Sequence, residues 1–213
     1  MFIKQFKPGG DRNFSYLIAD EKRAKAALID PSYNAGLLVD EAEDQGFEIL
    51  YIFNTHDHYD HTNGNEMAKS LTHREPLKFK DKDPLSGTII SDGATLPLGD
   101  LEINVIHTPG HTPDSICLYV DDAVFTGDTL FVGKVGGTDF AEQARQEYES
   151  LHNKLLNLPD KTRVFPGHDY GTRQVSTVGH EKENNPFLVQ PDFEAFVNLK
   201  RNWSQYKREH GIS

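Results

Sequence analysis

The 213-residue chain reads as one α/β domain, and three observations predict it. Short apolar runs of strand length alternate with segments of helical periodicity. One run, Ile49-Leu50-Tyr51-Ile52-Phe53, is apolar throughout, as a strand buried on both faces requires. No repeat, low-complexity tract or long linker divides the chain, whose length suits one core.

The elements follow in order. Phe14-Ser15-Tyr16-Leu17-Ile18 and Ala26-Ala27-Leu28-Ile29 read as strands joined by the charged turn Asp20-Glu21-Lys22-Arg23. Asn34 to Gln45 reads as a helix, with Leu37, Leu38 and Glu41 on successive turns and Gly46 as its stop. After the strand Ile49–Phe53, Asn63 and Glu66 fit a capping box that opens a second helix. Arg74 to Gly87, of mixed charge with Pro76 and Pro84, reads as loop. Strands are expected at Thr88-Ile89-Ile90, Leu101–Ile106, Ser115–Val120 and Ala123-Val124-Phe125. Glu142 to Leu156 is expected to be helical, with Tyr148, Leu151, Leu155 and Leu156 on one stripe. Arg163-Val164-Phe165 reads as a short last strand, and Phe193, Phe196, Val197 and Trp203 stand at helical spacing. Phe187-Leu188-Val189 and that final helix can cover the core or a second subunit, which leaves a homo-oligomer open.

Composition narrows the function. Hydrophobic residues are 37% and charged residues 26%, as in a globular chain. A net charge of −11 argues against nucleic acid as a partner, because no broad basic surface can form. No apolar run approaches the ~18–20 residues that span a bilayer, and Met1–Lys7 is too polar for a signal peptide. The cytoplasm is therefore expected, and the single cysteine, Cys117, fits a reducing compartment.

The chemistry lies at strand ends. Thr55-His56-Asp57-His58-Tyr59-Asp60-His61 follows the strand that ends at Phe53. In an extended segment His56, His58 and Asp60 point one way, and His61 turns as the next helix begins. Imidazole and carboxylate suit Zn²⁺ at about 2.0–2.2 Å, and these groups can serve one metal or be shared between two. Grouping them costs repulsion and desolvation unless a cation pairs with them. His111, Asp128 and His168 each follow a later strand, and each is preceded by a glycine (Gly110, Gly127, Gly167) that permits close backbone approach. Four strand-end clusters point to one shared site. His73, His107, His152, His180 and His210 lack such a setting and are assigned no role.

The set His56-x-His58-x-Asp60-His61, His111, Asp128 and His168, in that order, resembles the ligand set of the metallo-β-lactamase superfamily. The resemblance spans about Phe14 to Pro186 and implies a four-layer αββα sandwich, with a short helical extension at the C-terminus. By position, His56, His58 and His111 would hold one metal, and Asp60, His61 and His168 a second. Asp128 would bridge them, since two dications about 3.5–4 Å apart need an anion between them. Within the superfamily the chain is similar to glyoxalase II, the hydroxyacylglutathione hydrolases, and to the persulfide dioxygenases. Phe125-Thr126-Gly127-Asp128-Thr129-Leu130-Phe131 and Pro166-Gly167-His168-Asp169-Tyr170 look like both; Thr138-Asp139-Phe140, Ser176-Thr177-Val178 and Asn185-Pro186 look closer to the dioxygenases. Both groups carry a basic residue, contacting the glutathione part of the substrate, where this chain has Gly137. Lys134 and Arg173 are the expected substitutes, and Tyr170 matches a substrate-contacting tyrosine of the glyoxalases.

The resemblance implies hydrolysis of a small thiol-derived thioester, with two Zn²⁺ and a metal-bridged hydroxide as nucleophile. Asp60 and Asp128 are the carboxylates on which catalysis would depend, and Asp57 is expected to orient an imidazole. The alternative is a persulfide dioxygenase with one Fe²⁺ on His56, His111 and Asp128, a two-histidine, one-carboxylate face with open positions. A closed structural zinc site is disfavoured, because such sites take four ligands and prefer thiolates.

Overall fold

The computed structural model describes residues 1–211. Strands β1 (Phe2–Phe6), β2 (Ser15–Asp20), β3 (Lys25–Ile29), β4 (Glu48–Phe53) and β5 (Pro76–Leu77) form one sheet in that order. The second sheet is built from β6 (Thr95–Leu98), β7 (Leu101–His107), β8 (Ile116–Val120) and β9 (Ala123–Gly127). Strands β10 (Leu130–Phe131) and β11 (Lys134–Val135) pair as a small ribbon. Strands β12 (Arg163–Pro166) and β13 (Ser176–Thr177) complete the second sheet, whose order is β13-β12-β9-β8-β7-β6.

Alternating side chains explain the layering. Tyr16, Ile18, Ala27, Ile29, Tyr51 and Phe53 face inward and meet Leu118, Val120, Phe125 and Phe165 of the other sheet. Their neighbours Leu17, Leu28 and Ile52 face outward onto helices α1 (Gly36–Asp44) and, after the single turn α2 (Tyr59–Thr62), α3 (Asn65–Thr72). On the far side Cys117, Val124 and Val164 pack on α4 (Glu142–Asn153), α5 (Val178–Asn184) and α6 (Phe193–Arg201). Helix α7 (Trp203–His210) follows. The layers are helix, sheet, sheet, helix, and the fully apolar strands are those covered on both faces.

Parallel pairing positions the site. Strands β3 and β4 run parallel with Ile29 opposite Phe53, so Asp30 comes to lie beside Thr55. Strands β9 and β12 run parallel with Phe125 opposite Phe165, which sets Asp128 next to Gly167-His168. The two sheets are tied at this end by Ile116 N–H donating to Thr55 O and Phe14 N–H donating to Gly167 O, both at 2.8 Å.

Several expectations need correcting. The first strand, Phe2–Phe6, is half-buried but for the exposed Lys4, and its two polar residues, Lys4 and Gln5, stand side by side, so no alternation revealed it. Gly64, not Asn63, caps α3, and Asn63 instead accepts from the Tyr33 N–H, so there is no capping box. Thr88-Ile89-Ile90 forms only an isolated bridge at Ile89, because the chain there folds back on Asp81–Asp83. Pro76–Leu77, expected in a loop, pairs with β4, and Ser176–Thr177 adds a strand after Arg163–Pro166. Phe187 and Leu188 are buried against this chain's own helices, whereas Val189 is exposed. Among the described residues, no helix is long and apolar enough to cross a membrane.

Candidate metal centre

The seven predicted side chains meet at the strand ends where the two sheets join. His56 Nε2 lies 3.0 Å from His58 Nδ1, which lies 3.0 Å from His111 Nε2. Beside this trio, His61 Nε2 lies 3.2 Å from His168 Nε2, with Asp60 Oδ2 3.4 Å from His168. Asp128 stands between the groups. Its Oδ1 is 3.3 Å from His61 and 3.4 Å from His168, and its Oδ2 is 3.6 Å from His111. Asp60 reaches its group differently from the expectation. The helical turn α2 starts at Tyr59, so Asp60 leaves the extended alternation of His56 and His58 and faces the site with His61.

The outer ring nitrogens decide what the inner ones can do. His111 Nδ1 is 2.8 Å from the Gly137 carbonyl and His168 Nδ1 is 2.8 Å from the Asp11 carbonyl. A carbonyl only accepts, so each Nδ1 carries the proton and each Nε2 turns a lone pair inward. His61 Nδ1 is 2.9 Å from Asp30 Oδ2, which also accepts the Thr55 hydroxyl at 2.8 Å. With its hydrogen committed to Asp30, Thr55 Oγ1 can only accept from His56 Nδ1, 3.1 Å away. One carboxylate thus orients two imidazoles. Lone pairs facing one another at such distances repel unless a cation, a proton or a metal ion, lies between them. The buried Asp128 Oδ1, which no hydrogen bond satisfies, makes the same demand. These donors, all nitrogen or carboxylate oxygen with no thiolate, fit zinc or iron.

Electrostatics divides the site. Burial holds His56 well below the usual histidine range, and burial also lowers His111. Burial pulls on His61 too, but Asp30 and Asp128 outweigh it and raise His61 well above that range. Asp128 is opposed by burial, yet His168 and His61 hold it well below the ordinary carboxylate range.

Asp57 takes no part: its carboxylate is exposed and pairs with Lys78 at 2.8 Å. The orienting role expected of it falls to Asp30, which sequence reasoning passed over. Asp30 follows a strand, as the later ligands do, but Ile29 rather than a glycine precedes it, so it carried only part of the signal that marked them. Asn13, which donates to Asp60 Oδ2 at 2.9 Å, carried no such signal.

A cleft of about 660 Å³ opens beside His168, lined among others by Arg12, Lys134, Tyr170 and Lys207. The Tyr170 ring stacks on His168 with centroids 4.7 Å apart, and its hydroxyl donates to Asp11 at 2.8 Å. Lys134 Nζ lies 4.6 Å and the Arg12 guanidinium 4.7 Å from the Tyr170 ring centroid. Arg173 does not line the cleft, and its guanidinium turns to His180, which does.

Comparison with known proteins agrees with this architecture. The family model described as metallo-beta-lactamase superfamily matches residues 8–73 and 65–168. The cytoplasmic isozyme of hydroxyacylglutathione hydrolase from Saccharomyces cerevisiae is 40% identical over 195 residues, covering 83% of this chain and 70% of the yeast protein. The mitochondrial persulfide dioxygenase ETHE1 of Homo sapiens is 34% identical over 197 residues, covering 89% of this chain and 76% of that protein. The crystal structure of ETHE1 from Myxococcus xanthus superposes with a TM-score of 0.86 at 33% identity, covering 95% of this chain and 91% of that one. The chain belongs to the metallo-beta-lactamase superfamily.

Proposed function

We propose that this protein is a dinuclear zinc hydrolase that cleaves a small thioester of an anionic thiol carrier, of the kind the name hydroxyacylglutathione hydrolase describes. The carrying observation is Asp128, which turns one oxygen to His61 and His168 and the other to His111. A single metal would leave one of these groups of donors unused. His56, His58 and His111 would hold one ion, Asp60, His61 and His168 the other, and Asp128 both. Bound there, zinc supplies a hydroxide at neutral pH and polarises the substrate carbonyl. Asp30, Thr55 and the carbonyls of Gly137 and Asp11 keep the imidazoles aimed. Asn13 keeps Asp60 in place.

The carrier's anionic end fits the cleft over Tyr170. Gly137 offers no cation, but Lys134 is half-buried there with no carboxylate partner among the described residues. Burial holds its ammonium below the ordinary lysine range; Lys207, Lys200 and Arg12 push the same way, and Asp128 opposes them. Arg12, Lys134 and Lys207 line the cleft against the carboxylates of Asp11 and Glu181, and this surplus of positive charge in a chain of net charge −11 supports a bound anion.

The TM-score of 0.86 to a structure named ETHE1 favours a second reading, a persulfide dioxygenase with one Fe²⁺ on His56, His111 and Asp128. Elemental analysis of protein purified without added metal separates the two, together with assays of S-lactoylglutathione hydrolysis and of O₂ uptake with glutathione persulfide. Two zinc per chain with thioester cleavage is expected. One iron per chain with O₂ uptake overturns the hydrolase reading.

A further inference from the structure

Helix α6, which precedes the last helix α7, reaches the loop behind His111 through one buried side chain. Lys200 stands among the residues that α6 turns to the core, with Phe196, Val197 and Leu199. Its ammonium pairs with Glu147 of α4 and donates to the Gly136 carbonyl at 2.7 Å. Both partners are out of solvent, Glu147 wholly and Lys200 with 6% of its side chain exposed. The next carbonyl, Gly137 O, is the one that accepts His111 Nδ1–H. The loop before His111 rests on the same pair: a Cβ on Gly110 would lie 2.4 Å from Glu147 Cβ and 2.5 Å from its Cα. A Cβ on Gly136 would lie 2.1 Å from Asp128 O, 3.0 Å from Glu147 Oε1 and 3.1 Å from His111 Cβ. Glu147 and Lys200 are therefore the floor beneath Gly110 and Gly136, the residues directly before His111 and before the Gly137 whose carbonyl His111 uses. A buried ion pair commonly adds no stability over apolar side chains of similar volume, so its use here needs another reason.

We infer that Lys200 is a positioning residue for His111. By holding the Gly136 carbonyl it fixes the Gly137 carbonyl, which sets the tautomer and aim of the imidazole. The C-terminal extension thereby tunes the half-site of His56, His58 and His111 without touching it. The inference rests on the reading that His111 binds metal.

The test compares wild type, Lys200→Met and the double variant Glu147→Met/Lys200→Met. Lys200→Met alone leaves Glu147 buried without a partner and is expected to lower Tm. The double variant removes both charges at similar volume and is expected to keep a near-wild-type Tm. Two readouts follow in apo protein: the ¹⁵N spectrum of the histidine rings and a zinc titration against a chelator, with His111→Ala identifying the step that belongs to His111. In wild type His111 should be in the Nδ1–H tautomer. In the double variant the tautomers should mix, and the His111-dependent zinc step should weaken about 10- to 100-fold while the other stays within about twofold. A double variant with His111 wholly Nδ1–H and both zinc steps unchanged overturns the inference. Equal weakening of both steps with a fall in Tm also overturns it, because that is the mark of a purely structural pair. If wild type shows no His111-dependent zinc step, the metal reading fails instead. The tautomer readout still decides whether Lys200 positions the ring.

Discussion

Asp30 Oδ2 lies 2.9 Å from Nδ1 of His61, and both side chains are shut away from solvent. Asp30 adopts a left-handed backbone, with φ of 48°, an uncommon conformation for a residue other than glycine, where its side chain also accepts the Thr55 N–H at 2.7 Å. Replacing its charge leaves His61 free to change tautomer and loosens His56 through Thr55. Asp30→Asn should fold and lose about 10- to 100-fold in metal affinity. Competition with a chelator measures it, and an unchanged affinity would contradict the role given to Asp30.

Asp128 is the carboxylate shared by both groups of donors. Asp128→Ala should leave less than one metal per chain and abolish turnover. Elemental analysis with an activity assay checks both, and full activity in this variant defeats the dinuclear scheme.

Neighbouring glycines should behave in opposite ways. At Gly137 an added Cβ meets nothing within 4 Å, and φ lies outside the left-handed region. Gly137→Arg should therefore fold within about 0.5 kcal/mol of wild type. At Gly136 the same atom would collide with the Asp128 carbonyl, so Gly136→Ala should displace Asp128 and lower both Tm and metal content. Denaturant unfolding of the two variants tests the contrast. Strong destabilisation by Gly137→Arg would refute the open site.

The cations over Tyr170 should act on substrate charge. Arg12→Ala combined with Lys134→Ala removes the two groups that lie within 4.7 Å of the ring centroid. KM for a glutathione thioester should rise about 10-fold or more, as expected for losing a charged contact, with kcat little changed. A neutral short-chain thioester should be unaffected. Equal losses on both substrates would remove the anion subsite from the argument.

Cys117 is wholly buried, and burial pushes its thiol up to about 12. At pH 8 only about one molecule in ten thousand carries the thiolate, so the folded protein should be silent to a disulfide reagent. One thiol per chain should react after denaturation. Rapid labelling of native protein would show that the strand around Cys117 opens easily.

How much was legible follows from range. The His56-x-His58-x-Asp60-His61 cluster is local, and spacing alone made a metal the natural partner. Residues Ile49–Phe53 were legible as a doubly covered strand because apolar runs need no partner to be seen. The strand Phe2–Phe6 was not, since its pattern follows from an edge position that only pairing creates. Asp57 and Asp30 show the same limit. Asp57 is adjacent in sequence but turns to Lys78, whereas Asp30 is brought in by the parallel register of Ile29 with Phe53.

The sequence by itself determined the chemistry of the donors, imidazole and carboxylate without thiolate, and their attachment to strand ends. Tertiary structure decided which donors share a group, which ring nitrogen of each histidine faces inward, and that a lysine of the last helices props the loop behind His111. The reason is physical. Residue type and local periodicity travel with the chain, but side-chain direction and hydrogen-bond partners across more than a hundred residues exist only once two sheets have closed on one another.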